Sequence, residues 1–164
     1  SINDEVVFEI ELIKQVEINV DYILMLVEQF RATRGDGDDK EIRAEIDRAV
    51  SSSPSLRNKR DLIEQFVDSI SATAEVDVAW AAFVAGKRVE ELNRIIEEEG
   101  LDADATRAFV DAAFRDGAVQ PAGTAITKIL PPVSRFGQGG GHAAKKRTVL
   151  AKLSAYFDRF FGLS

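Results

Sequence analysis

No cysteine occurs in the 164 residues, and histidine, methionine and tryptophan occur once each. Without thiols there are no disulfides, no thiolate-bound metals and no Cys–His dyads, a composition that fits a cytoplasmic protein. The single histidine, His142, follows three glycines and has no carboxylate or nucleophile signature beside it. It reads as surface decoration rather than a catalytic base. Long apolar runs are missing too: runs such as Ile23 to Val27 are far short of the ~20 residues a membrane helix needs. The N-terminus is acidic and amphipathic rather than basic then apolar, so no secretory signal is legible. A phosphate loop is also lacking. The one Gly-Lys pair, Gly86-Lys87, sits in a helical pattern, precedes Arg88 and has no glycine upstream at the required spacing.

What the chain does have is helical periodicity. Hydrophobic residues make up 45% and charged residues 30%, ordinary values for a globular protein of one domain's length. Val6 to Leu12 alternates like a strand over Phe8, Ile10 and Leu12, and then shifts to helical spacing, so it stays ambiguous. Val20 to Arg31 reads as a helix, with Asn19 as its cap and apolar residues on more than one face. Further helices are expected from Lys40 to Val50, Leu56 to Ile70, Asp77 to Glu99, Ala103 to Arg115, Thr124 to Leu130 and Ala143 to Phe161. Ser51 to Pro54, Gly100 and Gly117 supply stops, and Gly139 to Gly141 reads as a flexible linker. Val149, Leu150, Leu153, Tyr156, Phe157, Phe160 and Phe161 form the cleanest stripe. The expected fold is all-α: an irregular bundle of about seven helices, with at most one short N-terminal strand, in a single domain spanning residues 1–164. A chain beginning Ser1-Ile2 reads as an excised piece of a longer polypeptide.

Catalytic patterns fail one by one. Asp21 with Asp38-Asp39-Lys40 can be forced onto a metal-dependent nuclease pattern, but the last three sit at a glycine-rich loop and helix start, where aspartates cap. The same loop fails as an EF-hand, because Lys40 stands where an oxygen ligand is needed. No catalytic, cofactor or metal residue is assigned.

Two kinds of surface remain. In GTAITKILPPVSRF, residues 123–136, a short helix stops against Pro131-Pro132, which lack backbone N–H groups and push Leu130 out of helical dihedrals. Lys128, Pro131, Pro132, Arg135 and Phe136 are the expected partner-binding residues, the last two as a cation and an aromatic at a rigid stop. Ile126, Ile129 and Leu130 fit core and interface about equally. The exposed side of the Tyr22–Phe30 helix is the second candidate. Basic residues form another class: Arg57, Lys59 and Arg60 near one helix start, and Lys145, Lys146 and Arg147 in the expected first turn of the last helix, where positive charge opposes the dipole. Glu97, Glu98 and Glu99 crowd a helix end in the same unfavourable way. The two blocks pair with each other, meet partners of opposite charge, or are plain solvated surface. A net charge of −7 argues against bulk nucleic-acid binding.

FEIELIKQVEINVDYILMLVEQF, RNKRDLIEQFVDSI, TRAFVDAAFRDG, GTAITKILPPVSRF and LSAYFDRFFGL together resemble the C-terminal helical region of the restriction (R) subunit of type I restriction–modification enzymes, in order and along nearly the whole chain. The resemblance implies a parent subunit with a nuclease domain and two ATP-hydrolysing motor domains that translocate DNA. ATP and magnesium would belong to those domains, whose motifs have no matching positions here. It implies a non-catalytic assembly module that docks the motor and nuclease onto the methyltransferase subunit, with the R subunit's own motor domains as further partners. The alternative is an accessory DNA-binding element of the same subunit, using the basic residues above. An enzyme in its own right is the third reading, and no motif carries it.

Overall fold

The structure, a computed structural model, describes residues 20–33, 39–116, 123–132 and 139–163. Among them are seven α-helices and no strand: α1 (residues 20–32), α2 (Asp39–Ser52), α3 (Arg60–Ser69), α4 (Val76–Glu99), α5 (Ala103–Asp116), α6 (Gly123–Ile129) and α7 (Gly139–Phe160). A 3-10 turn, Arg57–Lys59, leads into α3. The helices expected from periodicity are all present. The ambiguous Val6–Leu12 segment and the Asn19 cap lie outside the described residues.

Specific residues fix three of these boundaries. The Asp102 carboxylate accepts the Ala105 N–H at 2.8 Å and so opens α5. Gly100 ends α4 at φ +64, and the Leu101 N–H returns to the Ile96 carbonyl at 2.9 Å, the wrap-around bond of a Schellman stop. α6 ends at Ile129, just before Pro131 removes the next donor. Several boundaries differ from expectation: α2 runs on through Ser51 and Ser52, and α3 begins at Arg60 rather than Leu56, after the 3-10 turn. α4 begins at Val76, not Asp77, so Asp77 lies in the first turn, where its charge favours the dipole without capping. α7 begins at Gly139, so the glycine triplet is its first turn rather than a linker. Glycine costs about 1 kcal/mol per interior position relative to alanine, a modest penalty against the buried stripe that follows.

Two compact units divide the chain, Ser1–Phe83 and Val84–Ser164. In the first, Ile23, Leu26, Val27 and Phe30 of α1 are buried, as are Ile46 and Val50 of α2 and Leu62, Ile63, Phe66 and Val67 of α3. Phe66 meets the Trp80 ring edge-on at 5.0 Å. Between elements, the Tyr22 hydroxyl donates to Glu45 at 2.8 Å, and Arg43 pairs with Asp68 at 2.6 Å.

The second unit is built on the α7 stripe. Val149, Leu153, Tyr156, Phe157 and Phe160 are all at most 2% exposed. Phe114 of α5 stacks on Phe161 at 4.5 Å, and the Arg88 guanidinium carbon lies 3.6 Å from the centre of the Phe114 ring. Ile126 and Ile129 are each 1% exposed and Leu130 6%. That settles their reading as core. The Asp102 N–H bonds the Ile129 carbonyl at 3.0 Å, joining the start of α5 to the end of α6.

Candidate functional site

Of the expected partner-binding residues, Lys128 and Pro132 are exposed and Pro131 is half-buried. They sit on the outside of a segment whose apolar side chains point into the second unit. Arg135 and Phe136 lie outside the described residues.

The exposed side of α1 takes a definite form. Its buried face is Ile23, Leu26, Val27 and Phe30, while Met25 is 47% exposed and Leu24 half-buried. These two line an open groove of about 730 Å³ together with Ala72 to Asp77, the loop and start of α4. Asp21, Glu28, Glu75 and Asp77 stand around it, and Arg31, also lining it, pairs with Glu28. A thioether on an adaptable, unbranched side chain, ringed by carboxylates, can take an apolar side chain from a basic segment.

Several of the basic residues are engaged within their own unit. Lys59 is buried at 6% exposure, with its ammonium donating to the Ser55 carbonyl at 2.9 Å and the Asn58 side chain at 3.3 Å. It is corrected from a DNA-facing cation to a structural one, because the 3-10 turn folds its stem inward. Arg60 pairs with Glu64 at 3.1 Å and reaches Asp47 at 3.9 Å. Arg57 is exposed.

Lys145 is also committed within the protein, as an ion-pair partner of Glu99. Lys152 joins the cluster, 2.8 Å from Glu99 and 3.1 Å from Glu98. Glu98 and Glu99 at the end of α4 are therefore paired with Lys152 of α7 and, for Glu99, with Lys145 of the basic block. Glu99 is buried, and the hydrogen bonds from Lys145 and then Lys152 hold its carboxyl below the usual range despite burial. Bonds to Glu99 and Glu98 raise Lys152 above the usual lysine value. Because α7 starts at Gly139, the block lies beyond the first turn, where the dipole penalty fades. Lys146 is half-buried and Arg147 exposed.

A feature that periodicity did not reveal lies between α4 and α5 in the second unit. A cleft of about 310 Å³ has Leu92, Val110 and Tyr156 at its base and Val89, 61% exposed, at its rim. Arg88, Arg107 and Asp111 also line it. The Tyr156 hydroxyl donates to the Arg88 carbonyl at 3.1 Å, and burial pushes its pKa up against the nearby Arg88 charge. Spacing gave no signal for it, since Val89 stands three and seven residues before Leu92 and Ile96, the positions of one helical stripe, yet it is exposed.

Among the described residues no group of three or more acidic or histidine side chains comes together as a metal site. No described helix is long and apolar enough to cross a membrane.

Comparison with known proteins adds the family. A family model described as type I restriction and modification enzyme, subunit R C terminal, matches residues 1–160. The endonuclease subunit of a type I restriction enzyme from Staphylococcus saprophyticus is 32% identical over 108 residues, 62% of this chain and 12% of that protein. One from Staphylococcus aureus is 30% identical over 133 residues, 74% of this chain and 14% of that protein. The chain thus spans a small fraction of the curated relatives it matches. An all-helical fold and a family match over nearly its full length agree: the chain belongs to the C-terminal region family of type I restriction enzyme R subunits.

Proposed function

We propose that this chain is an assembly module, attaching a type I endonuclease subunit to its methyltransferase core without supplying a catalytic group. The parent on this reading is an ATP-dependent DNA translocase and endonuclease of the cytoplasm, with ATP and magnesium bound in other domains. The observation that carries it is the outer side of α1, where Met25 is 47% exposed in a groove shared with the loop before α4. Single exposed apolar residues are ordinary on protein surfaces. Met25 instead lies beside half-buried Leu24 and the alanines of residues 72–74, a recess for an apolar side chain.

The test is equilibrium binding of the full-length endonuclease subunit to the methyltransferase complex. Met25→Asp weakens the complex about tenfold, roughly 1.4 kcal/mol, with unchanged helicity. Alanine at Arg135 and Phe136 weakens it as well. Unchanged affinity in both variants contradicts the reading. DNA binding is the poorer alternative, since Lys59, Arg60 and Lys145 already serve internal partners.

A further inference from the structure

The cleft between α4 and α5 is a second surface with its own chemistry. Its base is apolar: Leu92, Val110 and Tyr156 are 6%, 1% and 2% exposed. Val89 at the rim is 61% exposed, one of the largest apolar exposures among the described residues. The volume of about 310 Å³ is at the small end for binding pockets, the size of one side chain and its flanks rather than a drug-like ligand. A partner that filled it would cover Val89.

The charges decide what kind of side chain. Two arginines face one aspartate in the lining, so the cleft is net positive in a chain whose overall charge is −7. Arg107 donates to the Asn93 side-chain oxygen at 2.9 Å, a neutral acceptor. Arg88 is laid flat on the Phe114 ring at 3.6 Å, and its Nε atom is buried with no hydrogen-bond partner. A half-buried guanidinium with an unmatched donor is costly unless something completes its hydrogen bonding. A carboxylate matches a guanidinium fork better than any neutral group.

We infer that this cleft receives a segment of a partner protein in which an apolar side chain is followed or preceded by an aspartate or glutamate. The apolar group seats against Val89, Leu92 and Val110, and the carboxylate meets Arg88 and Arg107. This inference rests on the assembly reading and adds the chemistry of one contact. It predicts charge of opposite sign from the α1 groove, whose rim is acidic.

The experiment measures affinity of the full-length endonuclease subunit for the methyltransferase complex across Val89→Asp, Val89→Lys, Arg107→Glu and Met25→Asp. Val89 and Arg107 are exposed, so thermal melting should match wild type in these variants. Val89→Asp places a like charge against the incoming carboxylate and is expected to weaken binding at least about tenfold. Val89→Lys, of opposite sign, should weaken it less despite its longer side chain. Arg107→Glu should cost about tenfold and flatten the salt dependence. If Val89→Lys is the worse of the pair, or Arg107→Glu binds like wild type, the acidic occupant is wrong. Wild-type affinity in every cleft variant, with Met25→Asp weakened, overturns the cleft and leaves the assembly reading standing. Wild-type affinity in all four variants overturns both.

Discussion

Glu99 is the last of three consecutive glutamates at a helix C-terminus, the least favourable end for negative charge. It is retained because Lys145 and Lys152 converge on it from α7. With its folded pKa below that of the unfolded chain, its contribution is complete above the ordinary carboxylate range and fades as pH falls through the folded value. Lys152 has the opposite sense: raised in the fold, it contributes fully below the ordinary lysine value and loses that contribution only as pH rises through the folded one. Glu99→Gln should therefore cost about 1 kcal/mol at neutral pH and flatten the acid limb of a urea-denaturation series. An acid limb identical to wild type would show that the pairs carry no stability. Lysine and glutamate blocks were visible in the sequence, but their pairing was only one of three options, because 46 residues separate Lys145 from Glu99. Lys59 escaped for a similar reason: a basic residue between Asn58 and Arg60 carries no mark that its stem folds inward.

At the scale of elements, boundaries were legible where a specific backbone requirement fixes them. Asp102 and Gly100 do the jobs their types advertise. Gly100→Ala should cost about 1 kcal/mol, since φ +64 is unfavourable for an L-residue even with open space around the added methyl group. A melting temperature equal to wild type would contradict that cap. The glycines at residues 139–141 misled because glycine only weakly opposes a helix, whereas proline forbids one; α6 stops where Pro131 requires. Ile126 and Ile129 could not be sorted by spacing alone, since a seven-residue helix has too few turns to distinguish an inner face from a docking face. Their burial assigns them to the core. Alanine at either should cost about 2–5 kcal/mol of stability. A loss of methyltransferase binding in either variant with folding stability unchanged would instead place it at an interface.

For the whole molecule, the fold class followed from periodicity, and the family match covers residues 1–160. The α4–α5 cleft was not legible. A cleft is made by residues distant in sequence, and Arg88, Val89 and Arg107 carry no shared period. The charge distribution also bears on DNA. With Lys59, Arg60 and Lys145 engaged internally, reversing Arg147 to glutamate should leave the salt dependence of any DNA binding nearly unchanged. A drop in slope of about one unit would mark it as a phosphate contact.

The most direct measurement is sedimentation equilibrium of the full-length endonuclease subunit with the methyltransferase complex, comparing wild type with a Met25→Asp, Val89→Asp double variant. An assembly role requires a stable complex for the wild type and free subunits for the double variant, with both equally helical. A double variant that sediments as the intact complex would contradict it.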